Sequence, residues 1–89
     1  MRRVVYHRHA VRYLKRMPED RKRQVKSALG EVAALDDVLV HPNIRAMKGE
    51  WEGCFRMRIG SYRAIFQFGE IDGEALLEVL VVGPRGDVY

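Results

Sequence analysis

One cysteine, Cys54, occurs in 89 residues, so an intrachain disulfide and any zinc site built on paired cysteines are both excluded. Cysteine is among the most buried residue types, and Cys54 is read as a core thiol. Prolines number only three against an apolar fraction of 47%, a balance that argues against disorder. No apolar run approaches the roughly 20 residues of a membrane helix, so a soluble protein without membrane contact is expected. The opening "MRRVVYHRHA" has the two arginines of a secretory n-region but only three apolar residues before His7, too few for a signal core. A cytoplasmic location is therefore expected.

Acidic residues are scarce where basic ones are dense. Residues 1–30 hold ten Arg and Lys against Glu19 and Asp20. Residues 31–64 balance five against five, and residues 65–89 set Arg85 against five acids. The net +4 is thus concentrated toward the N-terminus, which favours nucleic acid or an acidic protein as partner. The length fits one domain spanning 1–89, with a single core.

"RRVVYH" has the β-branched and aromatic content of a short strand. The period then changes: Ala10, Leu14 and Met17 fall at i, i+4 and i+7, the spacing of a short amphipathic helix that Pro18 ends. Glu19 and Asp20 sit where a second helix begins, well placed against its N-terminal dipole. Val25, Ala28, Leu29, Val32 and Leu35 form the buried stripe of that helix, and Arg21, Lys22, Arg23 and Lys26 its basic face. "DDVLVHPN" reads as a loop. "IRAMKG" has the period of a short edge strand or an ordered approach to the next one.

In "CFRMRIGSYRAIFQF" the period is two. Phe55, Met57 and Ile59 share one face, continued after the Gly60-Ser61 turn by Tyr62, Ala64, Phe66 and Phe68. Arg56, Arg58 and Arg63 take the other face, where planar, permanently charged side chains suit a bound anion. "ALLEVLVVG" is apolar on both faces apart from Glu78 and reads as an interior strand. The expected architecture is α+β: an N-terminal strand, a two-helix hairpin, then a three-stranded antiparallel meander, with the helices packed on one sheet face and the arginines on the other.

"LKRMPEDRKRQVKSAL", "MKGEWEGCFRMRIGSYRAIFQF" and "VVGPRGDVY" together resemble the RelE/ParE superfamily of bacterial type II toxins over essentially the whole chain. The RelE branch implies a metal-free endoribonuclease that cuts messenger RNA on the ribosome. The ParE branch implies a poison of DNA gyrase without ribonuclease chemistry, and a third outcome is an inactive module that binds RNA or antitoxin. Both active branches imply a cognate antitoxin protein. Carried over from the RelE branch, the catalytic positions fall on Arg56, Arg58, Arg63, Arg85 and Tyr89, a full set that ParE proteins generally lack.

Cleavage without metal needs a base for the 2′-OH, cations for the crowded phosphorane, and an acid for the departing 5′-oxygen. Arginine suits the cationic role and, with a pKa above about 12, moves protons poorly. Arg56 and Arg58 stand where the best-known RelE proteins have lysine, and Pro84 where His or Lys is common. The acid and base are therefore open, with Tyr89, Glu50, Glu52 and Lys48 as candidates. Lys48 and the helix residues Arg21, Lys22, Arg23 and Lys26 are secondary RNA-binding candidates, through phosphates of messenger or ribosomal RNA. Trp51 is read first as loop packing and second as a base-stacking platform. His7 and His9 share a strand face in this reading, but no third ligand has suitable spacing, so no metal is expected. No nucleotide-binding motif is present, and no cofactor is expected.

Overall fold

The computed structural model describes residues 1–84. Strand β1 (Arg3–Tyr6) leads into helix α1 (Arg8–Arg16), which ends where Met17 and Pro18 turn extended, because proline excludes the helical conformation from the residue before it. Helix α2 (Glu19–Ala33) starts with two acids in its first turn, and Lys22 Nζ lies 3.2 Å from Glu19 Oε1. The following loop contains a 3₁₀ turn, Val38–Val40, in which Asp37 Oδ1 accepts from the Leu39 N–H at 3.0 Å and Val38 is buried. Strand β2 (Ile44–Ala46), a second 3₁₀ turn (Gly49–Trp51), β3 (Phe55–Ile59), β4 (Tyr62–Ile71) and β5 (Glu74–Pro84) complete the order.

The meander gains an edge strand, so the sheet has five strands in the order β1-β5-β4-β3-β2. Only β1 and β5 run parallel. The interior place expected for the apolar "ALLEVLVVG" stretch is occupied by β5, between β1 and β4. Gly60, at φ +59, opens the two-residue turn joining β3 to β4, and Asp72-Gly73, at φ 51 and 81, makes the turn between β4 and β5. Two successive positive φ values match the right-handed twist of a tight hairpin.

Both helices pack on one sheet face. Ala10, Leu14, Met17, Val25, Leu29 and Val32 meet Met57, Ile59, Ala64, Phe66, Leu77, Val79 and Val82 in one buried cluster. Ala28 and Leu35 complete the stripe of α2 only in part, since the helix ends at Ala33 and Leu35 follows it. The rings of Phe55, Phe66 and Phe68 lie 5.3 to 5.8 Å apart. Arg2 belongs to the fold: its guanidinium sits 4.2 Å from the Phe68 ring centroid, and Nη1 donates to the Leu35 carbonyl at 2.7 Å. His9 lies in the first turn of α1, so it does not share a strand with His7.

Gly30 lies within α2 with nothing within 4 Å of where a Cβ would stand. Gly30→Ala should therefore raise stability by about 0.5–1 kcal/mol, because glycine loses more backbone freedom on folding. A higher urea midpoint with an unchanged m-value is the expected result.

Candidate nucleic-acid interface

Period-two alternation sends Arg56, Arg58 and Arg63 to the sheet face away from the helices. The register places Arg58 directly opposite Arg63, and Arg56 directly opposite Arg45 of the short edge strand. The four guanidinium-bearing residues line one cavity of about 170 Å³, closed at one side by Pro42 and Asn43. The Arg58 N–H donates to the Asn43 carbonyl at 3.0 Å, which fixes the 41–43 corner to the end of β3. Arg45 and Arg58 are exposed, Arg56 and Arg63 are half-buried, and Arg63 Nε is removed from solvent. Like charges directly opposed across a sheet oppose folding. Two such pairs stand side by side on this face and make it a concentration of fixed positive charge.

Beside the arginines the same face is apolar. Ile65 is the neighbour of Arg56 on β4 and is fully buried. Cys54 and Ile65 form the floor of a second small cluster, against which Met47, Trp51, Leu80 and Val81 pack, half-buried. A register shift between Ile65 and Phe66 creates it: Ile65 pairs with Val81 but Phe66 pairs with Val79, so Leu80 is the extra residue of a β-bulge. Leu80 and Val81 consequently both join the arginine face, and Val82 returns to the helix-side core. Burial pushes the Cys54 thiol pKa up, which keeps it protonated, and its Sγ lies 3.8 Å from Gln67 Oε1.

The other sequence candidates lie elsewhere. Lys48, Glu50 and Glu52 are exposed at the tip of the β2–β3 hairpin, which is closed by the Met47 N–H to the Cys54 carbonyl at 3.0 Å, and none of the three lines the arginine cavity. Arg21, Lys22, Arg23 and Lys26 belong to α2, on the helix layer across the sheet from the arginines. Lys22 pairs with Glu19, and Lys26 Nζ stands 5.8 Å from the Tyr6 ring centroid. Arg85 and Tyr89 lie outside the described residues. Among the described residues, no group of three or more His, Cys, Asp or Glu is placed to hold a metal ion. No helix among them is long and apolar enough to cross a membrane.

Arg45 is the cavity residue that sequence reading missed. Its signal was present, as a single alternation in "IRA", but three residues do not establish a period. The bulge at Leu80 was hidden for the opposite reason, because a strand apolar on both faces shows no phase to interrupt.

A five-stranded sheet with two helices on one face and this order of elements is the fold of the RelE/ParE superfamily of type II toxins. It is similar to the archaeal RelE-RelB complex from Pyrococcus horikoshii OT3, with a TM-score of 0.74 and 22% identity over 97% of each chain. It is also similar to the intact E. coli RelBE toxin-antitoxin complex, with a TM-score of 0.70 and 18% identity over 96% of this chain and 98% of that one. The RelBE2 toxin-antitoxin complex from Mycobacterium tuberculosis gives a TM-score of 0.63 and 24% identity over 94% and 98%. Residues 4–89 match the family of the ParE toxin of type II toxin-antitoxin system, parDE, and the chain belongs to that family. No curated protein sequence matches the chain significantly.

The opposed arginines set stability against the site. Arg58→Thr removes one like-charge pair from an exposed position and should raise stability by about 0.2–1 kcal/mol at low ionic strength. Added salt should shrink the difference as screening weakens the repulsion in the parent protein. Paired urea titrations of the two proteins at low and high salt are the check.

Proposed function

We propose that the chain is the toxin of a type II toxin-antitoxin system and acts as a metal-free endoribonuclease on messenger RNA at the ribosome. The observation that carries this reading is the arginine quartet, Arg45, Arg56, Arg58 and Arg63, gathered by register around one cavity on the face opposite the helices. Cleavage by attack of the 2′-OH on the adjacent phosphorus passes through a crowded dianionic phosphorane. Forked guanidiniums grip its oxygens bidentately and need no reorganisation as the charge develops. Orientation adds to charge, because holding the attacking and departing oxygens in line converts a rare geometry into the bound one.

In this reading Arg85 and Tyr89 complete the site, and Tyr89 is the group within the motif that can exchange a proton. Lys48, Glu50 and Glu52 are second-choice acid or base, one segment away at the hairpin tip. The basic α2 face contacts ribosomal RNA. The cognate antitoxin carries an acidic segment that covers the arginine face, and the whole chain, 1–89, acts as one toxin domain in the cytoplasm.

The competing reading, a gyrase poison without ribonuclease activity, draws on the family match to the ParE toxin. Induction in a growing cell separates the two. Translation should stop and messages should be cut inside their reading frames before any DNA-damage response appears. Early DNA breaks with intact messages would establish the gyrase reading instead.

The proton carrier is tested apart from the charges. Tyr89→Phe keeps the ring and removes the hydroxyl, and should lower the single-turnover cleavage rate on ribosomes by about 100-fold or more if the phenol is the acid or base. An unchanged rate would move that role to the hairpin tip.

A further inference from the structure

On the arginine-bearing face the pairing lines up one row across four strands, Arg45, Arg56, Ile65 and Val81. The row does not stop at β5. Strand β1 pairs only with residues 76–79 of β5, and the remaining length of β5 is flanked by α1, which packs against it. Val81 accordingly lines a groove of about 210 Å³ together with Arg12 and Arg16 of α1, both exposed. The row thus has guanidiniums at both ends and an apolar centre, where the half-buried Trp51, Leu80 and Val81 cover the buried Cys54 and Ile65 and present a saddle of their own. Within the row the apolar centre is Ile65 and Val81, one strand spacing or about 5 Å apart.

Cations at two ends with an aromatic-walled apolar centre are the elements with which proteins hold single-stranded nucleic acid: phosphates go to the charges and bases to the π-faces. A duplex hides its base faces and would leave the centre unused. Trp51 packs against the Cys54–Ile65 cluster and is half-buried, so part of its side chain stays accessible.

We infer that a single RNA strand crosses the sheet along this row, its phosphates on the arginine quartet at one end and on Arg12 and Arg16 at the other, with one base seated on the apolar saddle against Trp51. The inference rests on the RNA reading of the quartet and adds to it the course of the strand and the element that discriminates between bases. Flat apolar contact tolerates any base but favours those that stack best, so the saddle sets a preference at the nucleotide next to the scissile phosphate.

The test uses the full chain and a 2′-O-methyl hexanucleotide, which cannot be cleaved, labelled at its 3′ end with fluorescein. Trp51 is the chain's single tryptophan, so its fluorescence reports on the saddle alone. Quenching of Trp51 should follow the same isotherm as the anisotropy of the label. Trp51→Leu should weaken binding about 5- to 150-fold without changing the salt slope, since stacking involves no counterion release. Arg12→Gln with Arg16→Gln should leave quenching intact and flatten the log–log salt slope by about 1.4, roughly 0.7 for each phosphate no longer neutralised. Trp51→Phe should bind more tightly than Trp51→Leu, whereas a packing role predicts that the two bind alike, and the quenching measured on the parent protein decides even if the leucine variant fails to fold. Binding without quenching would remove the base from the saddle, and an unchanged slope in the α1 variant would remove the strand from α1. Binding unaffected by Arg58→Ala, or no binding by the parent protein at all, would instead overturn the RNA reading of the quartet.

Discussion

The register of the β3–β4 hairpin is the constraint on which the rest of the molecule depends. Gly60-Ser61 fixes it, with Ile59 facing Tyr62 across the turn and every later pair following from that one. A slip of one residue on either strand would turn Arg56 and Arg58, or Arg63, into the helix-side core and bring Met57 or Phe66 to the surface. Burying even one unpaired guanidinium costs several kcal/mol, comparable to the whole stability of a small domain. The alternation therefore does two things at once: it supplies the apolar face on which α1 and α2 condense, and it forces the cations together on the other side.

Concentrating cations has to be tolerated by something else, and the helix-side face supplies it. Phe66, Leu77 and Val79 are completely buried beneath the helix layer, and the three phenylalanines contact each other across β3 and β4. Each fully buried large side chain contributes about 1.5–3 kcal/mol, against a few tenths to about 1 kcal/mol forfeited at each opposed arginine pair. The sheet can thus carry an unfavourable face because the favourable one outweighs it several-fold. The bulge at Leu80 links the two, turning consecutive residues of β5 to one side and so giving the arginine face an apolar patch without emptying the core.

The helices, the hairpin and the partition of its residues between faces were legible in the sequence, because each rests on a period long enough to count. Ala10, Leu14 and Met17 repeat with the helix, and Phe55 to Phe68 repeat with the strand. Arg45 was not legible, since its partner Arg56 is eleven residues away and the pairing is a tertiary fact. The placement of α2's basic face across the sheet from the arginines was legible, because the helices' apolar stripes and the hairpin's apolar face have to meet and the arginines alternate away from them. The separation of Glu50 and Glu52 from the arginines follows from the hairpin tip, whose reach beyond the end of β3 depends on Gly49 and Gly53 at φ 70 and 92.

The brevity of the sheet's outer strands has a consequence for the molecule in a crowd. β2 has three residues and β1 four, so each edge offers only a few unpaired backbone groups to another chain. Arg45 sits in the middle of β2, and a second copy adding itself antiparallel about that point would set Arg45 against Arg45, beside the neighbouring Arg56. The charge cluster thereby works as a guard against polymerisation through the sheet edge.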